Sequence, residues 1–235
     1  MKFTYRSYQK ELLDRDDIPF EDIRQNMKEL NFINTWLGGH RITIDGFKKL
    51  AKNKQSITVC EIGCGGGDNL LAIDKWCQKN NIQVSLVGID MKPECITFAE
   101  GRKEFTGSVK WITSDYKEVD FPSKPDIIFS SLFCHHFTDD ELVFQFKWMK
   151  ENSAVGFFIN DLQRHPLAYY SIKILTNIFS KSYLVKNDAP LSVRRGFTKK
   201  QLEILLTKAG IGRVDLMWKW AFRFLVSVEC LTLEE

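Results

Sequence analysis

The stretch Val59-Cys60-Glu61-Ile62-Gly63-Cys64-Gly65-Gly66-Gly67-Asp68-Asn69 decides the architecture of this chain. An apolar run ends in an acid, and four glycines follow within five residues. Glycine tolerates positive φ and lets a backbone come close to a bound molecule, so the stretch reads as a strand turning into a helix around a ligand, with the first N–H groups of that helix turned outward. A second acid, Asp90, closes the next apolar run, Val84-Ser85-Leu86-Val87-Gly88-Ile89, where the ribose of a nucleoside would want a carboxylate.

Outward from this loop the chain alternates. Strands are expected at 57–62, 83–89, 109–113, 126–132 and 154–160, and helices at 68–80, 93–105 and 139–151, a rhythm that implies an α/β, Rossmann-like parallel sheet with helices on both faces. Thr138-Asp139-Asp140-Glu141 and Thr198-Lys199-Lys200-Gln201 both fit the capping box, and Gly210 suits a left-handed helix terminator. Beyond it Val214–Trp218 and Phe222–Cys230 read as two more strands, an antiparallel hairpin closing a seven-stranded sheet. Residues 1–55 carry helical patterning (Ile23, Met27, Leu30, Ile33) and are expected to form an N-terminal helical cap on a main domain at 56–235. An insertion at about 163–196, expected to be mostly helix, sits at the carboxyl edge of the sheet, a natural wall or lid for a pocket.

Composition narrows the function classes. The 235 residues are 44% apolar and 27% charged, and 33 Lys and Arg against 30 Asp and Glu leave a net charge of only +3. That balance does not advertise nucleic acid or an anionic membrane as partner. The six cysteines form no C-x-x-C pair and read as reduced thiols of a cytoplasmic protein. No apolar run is long enough to cross a bilayer and the start lacks an apolar leader, so a soluble, unexported protein without membrane insertion is expected, either a monomer or a homodimer.

A dinucleotide loop would read G-x-G-x-x-G, and counting from Gly63 its last glycine falls on Asp68. The pattern is instead Glu61-x-Gly63-x-Gly65-x-Gly67, followed by Asp90 after the second strand and Ser114-Asp115 after the third. This combination resembles the class I S-adenosylmethionine-dependent methyltransferases over about residues 55–235. The resemblance implies that Glu61 and the Gly63, Gly65 and Gly67 backbone face the methionine part of the cofactor. Asp90 would accept from the ribose hydroxyls, and Ser114 and Asp115 would flank the adenine, Asp115 accepting from its amino group. Met91 and Tyr116 would pack beside the adenine face, and Ser131 and Leu132 would line the sulfonium side. Each carboxylate is an acceptor placed where the ligand offers donors. Read singly, Glu61 and Asp90 are also reasonable helix caps, and Asp115 a turn acid.

The acceptor side is less defined. Methyl transfer from a sulfonium asks mainly for proximity, a dry site and, for a hydroxyl acceptor, a base. The chain has four histidines, and His135, His136 and His165 follow the ends of adjacent strands. His136 or His165 is expected to be the base, with His135, Arg164, Tyr169, Tyr170 and Arg194 on the substrate side. A hydrogen-bonded loop role remains open for each histidine, and no metal is expected, since adjacent His135 and His136 project differently and no carboxylate trio accompanies them. The resulting expectation is an enzyme that methylates a small hydrophobic or aromatic metabolite, quinone- or polyketide-like, on oxygen rather than carbon. A protein that binds the cofactor without turning it over, or a nicotinamide-dependent oxidoreductase, are the competing readings.

Overall fold

The computed structural model describes residues 3–15 and 17–230. Two helices come first, α1 (Phe20–Trp36) and α2 (Gly39–Ala51), and then the alternation begins with β1 (Ser56–Ile62), α3 (Asp68–Lys79), β2 (Gln83–Asp90), α4 (Pro93–Glu100) and β3 (Val109–Thr113). It continues through β4 (Ile127–Ser131), α5 (Asp139–Asn152) and β5 (Gly156–Leu162). The insertion is two helices rather than one, α6 (Pro166–Phe179) and α7 (Tyr183–Arg195), because Ser180 ends the first and the Ser182 hydroxyl caps the second. Helix α8 (Lys199–Lys208) and the strands β6 (Asp215–Lys219) and β7 (Arg223–Glu229) complete the chain.

The seven strands form one sheet in the order β3-β2-β1-β4-β5-β7-β6. The pairs among β1 to β5 are parallel, and β7 lies antiparallel to both β5 and β6, so six strands run one way and β7 alone is reversed. Successive side chains alternate between the two faces. On one face Ile57, Val59, Phe129 and Phe158 pack against Phe47 and Leu50 of α2 and Leu70 and Ile73 of α3. On the other, Cys60, Ile62, Ile128 and Ile159 meet Leu142, Phe146 and Met149 of α5 and Leu202, Leu205 and Leu206 of α8.

Both expected capping boxes are present, at Thr138 with Glu141 and at Thr198 with Gln201, and Gly210 has φ of 71° just beyond α8. Two elements differ from expectation by more than one residue, β5 and α4. Strand β5 starts two residues late and runs to Leu162, because the N–H groups of Ala154 and Val155 are spent on Pro125 and Asp126 outside the ladder. Helix α4 stops at Glu100 rather than 105, and Arg102 turns back to an ion pair with Asp68. The later end of β5 places Asp161 inside the strand, which matters for the site.

Candidate functional site

At the carboxyl edge of the sheet lies a cavity of about 970 Å³, bounded by the strand-end loops below and by α1, α6, α7 and the β6–β7 turn above and to the side. Among the glycines of the first loop, Gly63 and Gly65 have φ of 66° and 50°. A Cβ on Gly63 would strike the Phe133 ring, whereas one on Gly65 would meet no protein atom within 4 Å. Gly65 is therefore needed for its backbone conformation and because it lets the loop backbone touch whatever fills the open space. Gly67 lies off the cavity wall, as the left-handed N-cap of α3.

Asp90, at the end of β2, accepts from Gly65 N at 2.8 Å through one oxygen and from Lys92 N at 2.9 Å through the other. The aspartate thus locks the glycine loop while each oxygen keeps a lone pair for a ligand. Burial raises its pKa, with the two backbone N–H bonds pulling the other way. Glu61 is buried, and only one of its oxygens has a partner, Asn69 Nδ2 at 2.9 Å; the second is an unpaired acceptor in the cavity wall. Burial pushes the Glu61 pKa well above the usual carboxylate range.

The Asn69 side chain also accepts from Thr43, whose hydroxyl accepts from Asn160, and Asn160 reaches Ser131. A continuous polar chain therefore crosses the ends of β1, β4 and β5. Beside it Leu132 holds a φ of 54° and donates its N–H to Asn160 O at 2.9 Å, a strained position of the kind that gathers at binding sites. Further along, Met91, Ser114, Asp115 and Tyr116 line the wall; Asp115 Oδ1 accepts from Lys117 N at 3.1 Å, and Tyr116 lies buried between Phe133, Phe137 and Trp148. Of the residues expected to hold the cofactor, all but Gly67 face this cavity.

The expected acceptor-side residues divide. His135 and His136 both line the cavity, on a short 3-10 turn at Cys134–His136. His135 is buried, its Nδ1 2.8 Å from Asp161 Oδ1 and its Nε2 3.6 Å from Glu11 Oε1. Burial alone would lower its pKa, but the Asp161 and Glu11 carboxylates outweigh that and raise it to about 9, so it is an imidazolium at neutral pH and no base. His136 is part-exposed, with Nδ1 3.3 Å from Asp14 Oδ1 and Nε2 3.8 Å from Glu11 Oε2. Burial raises the Asp14 pKa, and His136, the Glu11 N–H and Arg195 together more than reverse this, holding it at about 2. Glu11 is likewise lowered, burial being outweighed by the two histidines.

His165 does not join them. Its Nδ1 accepts from Leu167 N as the cap of α6, and its ring stacks on Phe222 at 5.1 Å, off the cavity wall. Arg164 is also a structural residue: each of its three nitrogens donates, to Phe3 O, Gly196 O, Thr4 O and Gln201. Tyr169 is buried against Phe3, Tyr170 is exposed, and Arg194 lies outside the wall while its neighbour Arg195 is on it. Arg195 donates to the carbonyls of Gln9, His135 and His136 and so fixes the histidine turn to α7.

Glu11, Asp14 and Asp161 were not singled out in the sequence. The first two ride on a strap, Phe3–Asp14, clasped by Arg6 to Asp139 and to the carbonyls of His135 and Phe137, and by Asp188 to Leu12 N and Leu13 N. No periodic pattern marks such a strap. Glu11, His135 and His136 present three ligand atoms within 4.8 Å of one another, a set that suits either a divalent cation or a network of ion pairs. Apolar side chains line much of the remaining wall, Met27, Leu30 and Ile33 of α1, Ile172 and Leu175 of α6, and Phe222, with Asn26, Asn34 and Arg223 among them.

Residues 53–202 match a family model described as a methyltransferase domain. Among solved structures, the plantazolicin methyltransferase BpumL, in complex with a monoazolic desmethylPZN analog and SAH, is 17% identical with a TM-score of 0.64, over 89% of this chain and 89% of that one. Human N-acetylserotonin methyltransferase in complex with SAM is 16% identical, TM-score 0.64, over 91% of this chain and 57% of that one. Magnesium protoporphyrin IX methyltransferase from Synechocystis, with bound SAH, is 14% identical, TM-score 0.51, over 92% and 89%. These likenesses are of fold. Among the described residues no helix is long and apolar enough to cross a membrane.

Proposed function

The chain belongs to the methyltransferase-domain family, with S-adenosylmethionine as methyl donor, and from that premise we propose that it methylates a hydroxyl of a small hydrophobic or aromatic acceptor, quinone- or polyketide-like in shape. The donor half of the cavity fits such a cofactor by its own chemistry. The unpaired oxygen of Glu61 suits the ammonium of a methionine end, the free lone pairs of Asp90 suit a ribose diol, and Asp115 suits an adenine amino group. The open space at Gly65 leaves room for the ligand against the loop backbone. When bound, the donor supplies an electrophilic methyl group that needs no further activation.

His136 carries the acceptor assignment. It is the cavity histidine with carboxylates beside both ring nitrogens and partial access to the open space, while His135 is locked as a cation and His165 is a helix cap. Asp14 on Nδ1 orients the ring and stabilises the imidazolium formed when His136 takes a hydroxyl proton, the role a carboxylate plays behind any catalytic histidine. His135, held between Asp161 and Glu11, is the fixed cation that keeps Glu11 charged beside His136. The apolar wall of α1 and α6 excludes water and favours an acceptor with little polar surface. With Asp161 and Glu11 paired to His135 and Asp14 hydrogen-bonded to His136, we read the cluster as one ion-paired histidine beside the base and assign no metal.

The test is S-adenosylhomocysteine formation with a panel of apolar phenols and hydroquinones, with and without EDTA, followed by mass and NMR analysis of the product. An O-methyl product whose rate is unaffected by chelation is expected. A C-methyl product would remove the role given to His136, and tight cofactor binding with no turnover across the panel would leave a cofactor-binding protein only.

A further inference from the structure

Among the described residues four arginines are buried, and in three of them every guanidinium nitrogen has a partner. Arg6 is paired to Asp139 and to three carbonyls, Arg164 has four acceptors, and Arg195 has three. The fourth, Arg223, is 3% exposed and lines the cavity, yet only Nη2 has a partner, Asn34 Oδ1 at 2.7 Å. Its Nε and Nη1 have no acceptor, and among the described residues no carboxylate stands within ion-pair distance. The nearest acid that influences it, Asp161, is spent on the His135 ring, on His135 N and on Leu162 N. Burial accordingly pushes the Arg223 pKa down to about 10.

A guanidinium taken out of water without a counter-charge is costly, and the cost falls when an anion arrives. The chain around Arg223 is itself strained. Ala221 and Phe222, neither of them glycine, hold φ of 60° and 56° in the turn that brings Trp220, Ala221, Phe222 and Arg223 to the cavity wall. Strain in the turn and an unpaired cation at its end both point into the same space. Across the floor of that space lies the complementary orphan, the free oxygen of Glu61.

We propose that Arg223 is the seat of a carboxylate group of a ligand bound in this cavity. One guanidinium backed by one asparagine amide oxygen, without a cluster of further unpaired cations, suits a monoanion rather than a phosphate. The carboxylate has two sources within the function read above, on which this inference rests: the amino-acid end of the methyl donor, or an acid group on the acceptor. Position leaves both in play: the Arg223 backbone is on β7, three strands from Glu61 of β1 at about 4.8 Å per strand and beside Leu162, Ala221 and Phe222, while its guanidinium reaches back to Asn34 and to Gly39 at the start of α2.

Calorimetry on the whole chain and its Arg223→Met variant separates the sources. S-adenosylhomocysteine is compared with methylthioadenosine, which lacks the amino-acid end, and para-hydroxycinnamate is compared with its methyl ester on protein saturated with S-adenosylhomocysteine. An acceptor seat predicts that the variant binds the acid about 10–100-fold more weakly while the ester and both nucleosides are unchanged; a donor seat predicts the same selective loss for S-adenosylhomocysteine. Arg223→Lys retains part of whichever affinity is lost. The ligand-free Arg223→Met protein melts no lower than the parent, since the substitution removes an unpaired buried charge. No charge-selective loss in either pair, or a variant that melts several degrees lower with ligand affinities intact, overturns the proposal. Failure of the parent protein to bind S-adenosylhomocysteine at all is a different result and refutes the donor assignment itself.

Discussion

The two halves of the cavity are built in opposite ways. The donor half comes from strand ends and the loops directly after them: Glu61 to Gly65, Asp90 and Met91, Ser114 to Tyr116, Ser131 and Leu132. Each residue is placed by the strand it follows, and the parallel sheet aligns those ends without help from the rest of the chain. The acceptor half is assembled from distant pieces, with Glu11 and Asp14 on the strap, His135 and His136 after β4, α6 and α7 from the insertion and Arg223 from the last strand. It is held by arginine clasps spanning more than a hundred residues of sequence, as from Arg6 to Asp139. The first design fixes one ligand in a way many chains can share; the second leaves the other ligand free to differ.

If the halves are functionally separate, damage to one should spare the other, and the largest expected effect lies in the acceptor half. His136→Ala should lower kcat toward a hydroxyl acceptor by about 10²–10⁴, the usual worth of a positioned base, with donor affinity by calorimetry unchanged. His165→Ala, which removes a cap on α6 and a stack on Phe222 but no group on the cavity wall, should leave kcat within about twofold. Equal losses in the two variants, or a parallel fall in donor affinity for His136→Ala, would break the separation. A smaller effect is expected from the other side. Asp90→Ala deletes the acceptor for Gly65 N and Lys92 N as well as for the ribose, and should weaken S-adenosylhomocysteine binding by about 10–100-fold. Its acceptor KM, measured at saturating donor, should stay near that of the parent, and an affinity for S-adenosylhomocysteine equal to the parent's would refute the ribose assignment.

The same division decides what could be read in the sequence. The donor half was legible because its signals are local, an acid closing an apolar run and glycines where φ is positive; the two capping boxes, equally local, lie outside it on α5 and α8. The acceptor half was legible only as a region. Adjacent His135 and His136 look alike in sequence, and what distinguishes them is Asp161, which enters the site because β5 runs two residues further than its apolar pattern suggests. Arg164 and Arg194 look as suitable as Arg195 and Arg223 until the carbonyls that saturate the first and the wall that leaves out the second are known. Glu11 and Asp14 carried no signal, since a strap that ends in a single 3-10 turn at Leu12–Asp14 has no period and its order comes from partners far along the chain.

The smallest effect, and the one that best sharpens the contrast, concerns His135, which stabilises the acceptor half and takes no proton from a substrate. The imidazole faces Asp161 and Glu11, and the carbonyl of the same residue receives Arg6 and Arg195, so its charge is the centre of the clasp. Its pKa rises from 6.5 to about 9 on folding, so the stability it contributes is fully present below about pH 6.5 and is lost as pH rises through about 9. A shift of that size sets a ceiling on the order of 3 kcal/mol, or roughly 5–10 °C in Tm for a chain this long. His135→Gln should therefore melt well below the parent at pH 6 and much closer to it at pH 10, where the parent has lost the same charge. Lowered pKa values at Asp14, Glu11 and Asp161 act at the opposite end, with stability present above about pH 4 and lost as the carboxylates protonate on acidification. A melting gap between parent and His135→Gln that is the same at pH 6 and pH 10 would show that the ring acts by shape alone, and that the charge at the heart of the acceptor half is not His135.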